Sequence, residues 1–166
     1  FKQLVKEHLI EYIPNKGCFA RGFGKDDMRD IYAVRIAVEQ LAVEWAIRNR
    51  TEDDIRQLRE QLEIMNFYTA NNMNDKLLQA NEDFNKIIYR MTESRFIVQA
   101  LKSYQDYIHL ARKDILSKKD NLREIYEEHE RIFTAIEAGD VEAAREAVSS
   151  HLEASSKRAA EKWNEA

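Results

Sequence analysis

Helix breakers all but vanish from this chain after residue 24. Of its four glycines and one proline, only Gly139 lies beyond that point. Glycine and proline are the residues that most reliably interrupt a helix, so residues 25–166 are free to be helical almost throughout, and the apolar spacing says where. Ile31, Val34, Val38, Leu41 and Trp45 form the stripe of a first helix that ends near Arg50. Thr51 with Asp54 predicts a capping box at the start of a second helix, whose stripe is Ile55, Leu58, Leu62 and Met65. Asn71, Asn72 and Asn74 mark a polar break. A third helix over Asp75–Met91 carries Leu77, Leu78, Phe84, Ile87, Ile88 and Met91. Ser94 caps a fourth with Ile97, Leu101, Tyr104, Ile108, Ala111 and Ile115, and Lys118–Asn121 forms a charged corner.

The last third reads as a helical hairpin. Leu122, Ile125, His129, Ile132, Phe133 and Ile136 share one face of the fifth helix; Ala144, Val148, His151, Leu152 and Ser155 share one face of the sixth. Between them, Gly139 can close a helix in the left-handed conformation and Asp140 can cap the next. Each histidine lies about ten residues, roughly 15 Å, from that corner, so an antiparallel hairpin brings His129 and His151 to the same height. Six antiparallel helices with short connections make an all-α bundle.

Residues 1–24 are different in kind. Leu9–Ile13 and Cys18–Phe23 alternate like short strands around a Pro14–Gly17 turn. A two-stranded hairpin is marginal alone, so this segment reads as the remnant of something larger or as a disordered or docked N-terminal arm. The net charge of -4 offers no global attraction to nucleic acid, and any DNA contact must come from a local patch. A single cysteine, Cys18, excludes an internal disulfide framework. No apolar run approaches the roughly 18 residues of a membrane span, and the expected setting is the cytoplasm.

Polar residues on apolar faces carry the functional signal. Asn81 lies in the row Leu77, Asn81, Phe84, Ile88, and Asn85 follows one turn on. Arg35 lies in the row Ile31, Arg35, Val38, Ala42. Taken singly, each has an ordinary explanation: a core histidine donating to a carbonyl, two asparagines bonded to each other, an arginine paired with Glu39 at i+4. Taken together, Arg35, Asn81, Asn85, His129 and His151 come from four helices and would all be accounted for by one shared polar cavity. Tyr89, Tyr104 and Tyr107 read as ordinary core, and Glu127, Glu128 and Glu130 as a solvated face. His8 and His109 have no partner at metal-ligand spacing.

These patterns resemble the FCD effector-binding domain of GntR-type transcription regulators, in the FadR-like branch. Asp30–Glu39 is similar to that family's opening helix, with its Arg and a Glu four residues on; Asn81-Glu82-Asp83-Phe84-Asn85 stands where the family has D-x-x-F-H. Glu128-His129, Ala135-Ile136, Gly139-Asp140 and His151 are similar to its last two helices, including the 22-residue interval between the histidines. The resemblance implies an all-α antiparallel bundle of six to seven helices over 25–166, preceded at 1–24 by the C-terminal remnant (wing) of a winged helix-turn-helix domain. It implies a homodimer that binds operator DNA, with Lys16 and Arg21 near the wing as phosphate contacts, and a small carboxylate effector in the bundle. It also implies one divalent metal, zinc, nickel or similar, at Asn81, Asn85, His129 and His151. Here the sequence departs from the family: asparagine replaces both the Asp and the His of the third helix. An amide oxygen cancels no charge on an ion and binds zinc less well than imidazole does, so the ligand site is expected either with a weakly held metal or without one.

Two other classes compete with a sensor. A helical metalloenzyme would use His129 and His151, but no inward carboxylate completes a two-His-one-carboxylate set, and no phosphate loop or nucleophile triad is present in the sequence. A structural dimerisation domain with a decayed site would keep the bundle and bind nothing.

Overall fold

Why the bundle forms is visible at its corners. The computed structural model describes residues 10–13, 17–20, 25–112 and 122–163, with side chains described over 26–104 and 122–161. Among the described residues there are six helices: α1 (Lys25–Asn49), α2 (Glu52–Ala70), α3 (Asn74–Met91), α4 (Arg95–Arg112), α5 (Leu122–Ala138) and α6 (Val141–Trp163). Thr51 and Asp54 close the expected capping box, Asp54 N–H donating to Thr51 Oγ1 at 3.2 Å and Thr51 N–H to Asp54 Oδ2 at 3.0 Å. Ser94 Oγ accepts from Ile97 N–H at 3.3 Å and starts α4. Gly139 takes φ +73°. Around it Asp140 N–H donates to Ala135 O at 3.0 Å and Gly139 N–H to Ile136 O at 3.1 Å, the paired bonds that end a helix at a left-handed residue. Asp140 Oδ1 then accepts from Ala143 N–H at 3.0 Å and caps α6.

Upstream, β1 (Ile10–Ile13) pairs antiparallel with β2 (Gly17–Ala20), Ile10 opposite Ala20 and Ile13 opposite Gly17. The hairpin expected there is present, with its second strand described over Gly17–Ala20. Its turn, the expected continuation to Phe23, and the candidate DNA contacts Lys16 and Arg21 lie outside the described residues.

In the bundle, α1 packs most extensively on α6, α2 lies between α3 and α5, and α5 pairs with α6. One continuous core joins them, from Met28 and Tyr32 through Leu58, Met65, Phe84, Leu101, Ile132 and Leu152. The face that α1 buries differs from the expected stripe. Val34 and Leu41 are 46% and 40% exposed, while Tyr32, Arg35, Glu39, Ala42, Val43 and Ala46 face inward. Small alanines let α6 come close, and burial of the polar trio is possible because its members bond to one another or to α6. No helix among the described residues is long and apolar enough to cross a membrane.

Candidate functional site

The closing hairpin does what its spacing requires. His129 on α5 and His151 on α6 are both buried, their ring centroids 4.6 Å apart at 72°. His129 Nδ1–H donates to Ile125 O at 2.7 Å, and His151 Nδ1–H donates to a Glu128 carboxylate oxygen at 2.7 Å. A carbonyl and a carboxylate can only accept, so in the neutral rings both lone pairs sit on Nε2. Phe84 of α3 meets the His129 ring edge-on at 5.2 Å and ties the hairpin to the middle of the bundle. On either side of Phe84, Asn81 and Asn85 are buried, with Asn85 Nδ2–H donating to Asn81 Oδ1 at 3.3 Å.

One turn beyond Asn85 on the same face of α3 stands Tyr89. Its hydroxyl is buried beside the Arg35–Glu39 ion pair of α1, and burial, then the Glu39 carboxylate, pushes its pKa up. For Arg35, burial by itself disfavours the charge, but Glu39 more than offsets it and the pKa is raised. Tyr32, one turn before Arg35, shares a 3.0 Å hydrogen bond with Ser155, which lies one turn past His151 on α6. The polar side chains therefore run as a near-continuous band: Asn81, Asn85 and Tyr89 on α3, Arg35 and Tyr32 on α1, Ser155 and His151 on α6, His129 on α5. All five residues singled out by sequence are buried. The two imidazoles touch, the two amides bond, and Arg35 lies beside Tyr89, one turn along α3 from Asn85.

Three participants were not expected. Glu128 is no part of a solvated face: it is 5% exposed and is gripped by Arg158, whose Nη1 and Nη2 donate to its two oxygens at 2.7 and 2.8 Å. Its neighbours Glu127 and Glu130 hid it, because three glutamates in a row of four look like surface. Tyr89 was concealed by its aromatic ring, although the i, i+4, i+8 spacing from Asn81 and Asn85 marks it in retrospect. Ser155 was read only as part of a stripe.

The fork of Arg158 and the His151 N–H outweigh the burial that opposes Glu128's charge, holding its pKa down at about 2 against an ordinary 4.5. A depressed acid adds stability that is complete above its unfolded pKa and is lost as pH falls through the folded one. Thermal unfolding should therefore show a loss of stability between about pH 4.5 and pH 2 that is missing in Glu128→Gln.

The metal that the family resemblance implies can be tested against these donors. Asn81 Oδ1 is occupied by the Asn85 amide, and both Glu128 oxygens are held by Arg158 and His151. Among the described residues no group of three or more His, Cys, Asp or Glu side chains could hold an ion. Two imidazoles with neutral amides leave a divalent charge uncancelled in a buried site. The donor set does not fit a metal.

The chain can now be set beside known proteins. The model of the FCD domain matches residues 30–154. The HTH-type transcriptional regulator YdhC of Bacillus subtilis strain 168 is 28% identical over 150 residues, covering 90% of this chain and 67% of that protein. Among solved structures, Escherichia coli McbR/YncC superposes with a TM-score of 0.82 at 20% identity, over 97% of this chain and 81% of that one. A GntR family member from Pseudomonas syringae pv. tomato superposes with a TM-score of 0.71 at 20% identity, over 98% and 68%.

Proposed function

Because the chain belongs to the FCD family of GntR-type transcription regulators, we propose that it is the sensing part of a ligand-responsive, DNA-binding regulator. A regulator of this kind is not an enzyme, and the side chains gathered here serve binding. In our reading, Arg35, Asn81, Asn85, His129 and His151 line the effector site. The observation that carries this reading is the convergence of buried polar side chains from α1, α3, α5 and α6, with the two imidazoles in contact. A bundle that needed only stability would fill these positions with aliphatic side chains, at less cost in desolvation.

Coupling to DNA follows from chain order. Helix α1 starts at Lys25, directly after the hairpin segment that we assign to the wing of a winged helix-turn-helix domain, and Arg35 sits ten residues into it. A molecule that draws on Arg35 acts on the helix from which the DNA-binding head hangs, about 15 Å away. It shifts the regulator only by binding one placement of the heads more tightly than another. A second copy of the chain, covering the outward α1 face at Val34 and Leu41, would set the spacing of two heads for an operator with two half-sites.

In the complete protein, the variant Arg35→Met/Glu39→Gln should keep operator affinity without effector within about threefold. It should also remove the effector's influence on that affinity, as read by fluorescence anisotropy. An unchanged effector titration would take Arg35 out of the site.

A further inference from the structure

The two imidazoles of the site are oriented in different ways. His129 is held by its own helix, its Nδ1–H donating to the carbonyl of Ile125 four residues back. That bond is local to α5 and carries no information about α6. His151 reaches across to α5, where its Nδ1–H meets Glu128 Oε2 at 2.7 Å. Its ring therefore keeps its direction only while the two helices keep their register.

The carboxylate that His151 uses is itself fixed. Arg158 Nη1 and Nη2 donate to its two oxygens at 2.7 and 2.8 Å, so Oε2 receives both Arg158 and His151. A guanidinium fork on both oxygens sets the plane of a carboxylate as well as its place, which a point charge does not do. Arg158 follows His151 by seven residues on α6, two turns along one face, so fork and imidazole approach Glu128 together. Arg90–Asp54 and Arg145–Glu44 also join helices, but with their arginine side chains 55% and 39% exposed, against 12% for Arg158. The neighbouring glutamates bond within α5, Glu127 to Arg123 and Glu130 to Tyr126. Of these three, Glu128 alone is turned to a histidine.

Which nitrogen of a neutral imidazole carries the proton is set by the bond that the other atoms of the site impose on it. A ring whose proton is unfixed offers a donor and an acceptor by turns, and so discriminates poorly between ligand groups. We propose that Glu128 and Arg158 are positioning residues of the sensor site: the carboxylate, its plane set by the arginine, keeps the His151 proton on Nδ1 and the ring against His129. The proposal rests on the sensor reading above.

A variant that keeps the stability and removes the orientation tests it. Glu128→Met/Arg158→Met deletes both charges and keeps most of the volume, a replacement that is often close to neutral for a buried ion pair, so it should melt within roughly 4 °C of the natural sequence. Nitrogen NMR of the chain at neutral pH, through the long-range couplings of each ring, reads where the proton sits. The natural sequence should show His151 protonated on Nδ1 alone. The double variant should show a mixture of forms or the proton on Nε2, with His129 unchanged, and Glu127→Gln should match the natural sequence. Arg158→Lys, which keeps the charge and loses the fork, should also give a mixture, and it decides the matter if the double variant does not fold. A natural His151 protonated on Nε2 or on both nitrogens, or an unaltered ring in the variants, would overturn the positioning role and leave the sensor reading standing, since no ligand takes part. Thermal shifts with lactate, succinate and benzoate complete the test. An acid that stabilises the natural chain should bind the double variant (or Arg158→Lys) about tenfold more weakly, the worth of one well-directed hydrogen bond. Equal affinity would again overturn only the positioning role, whereas silence from all three acids in the natural chain would count against the sensor reading and this role together.

Discussion

Replacing Glu128 with alanine is expected to lower the stability of this bundle by about 3 kcal/mol. Two independent routes give that size. Removing one partner of a buried, hydrogen-bonded charge pair costs about 3–5 kcal/mol, because the other is left without compensation. The depression of the Glu128 pKa from 4.5 to about 2 corresponds to a similar figure, at 1.36 kcal/mol per unit. Solvent screening removes little of it, since only 6% of the side chain is exposed. Arg158 is partly able to reach water, at 12% side-chain exposure, which places the loss at the lower end of the range. For a chain of 166 residues, the melting temperature should fall by roughly 6–12 °C. Differential scanning calorimetry at pH 7 measures it. A fall of under 2 °C would mean that the fork between Arg158 and Glu128 contributes nothing to joining α5 and α6.

The second large effect concerns Arg35, and it separates stability from recognition. Arg35→Ala strands the Glu39 carboxylate in the core and opens a void, and it should cost about 3–5 kcal/mol. The double variant Arg35→Met/Glu39→Gln removes both charges and keeps most of the volume, so it should be within about 1 kcal/mol of the natural sequence. A double-mutant cycle from urea melts gives the coupling directly. If the double variant is as unstable as Arg35→Ala, the pair matters for its shape and not for its charge balance.

Much of the fold was legible because local rules and burial agree. Thr51–Asp54, Ser94 and Gly139-Asp140 each place a helix end by backbone chemistry alone, and the structure uses all three. The meeting of His129 and His151 follows from counting residues on either side of Gly139. Two features were not legible. Val34 and Leu41 are the more apolar residues on α1, so periodicity selects them, yet the bundle turns them outward and buries Tyr32, Val43 and Ala46 beside the expected row of Arg35 and Ala42. Hydropathy scores each side chain alone. It cannot register that Tyr32 finds Ser155 on another helix, or that alanines let α6 approach. Glu128 was lost for a related reason: its partner Arg158 lies 30 residues away on another helix, and nothing in the spacing of α5 announces it.

The central claim is that the buried polar band binds a small molecule through Arg35. Its most direct test compares thermal shifts of the natural sequence and of Arg35→Met/Glu39→Gln across one panel of small polar molecules. A ligand at 100 times its dissociation constant adds about 2.7 kcal/mol, or roughly 5–10 °C at this chain length. The account predicts such a shift for at least one compound in the natural sequence and its loss in the variant. Equal shifts in the two proteins would contradict it.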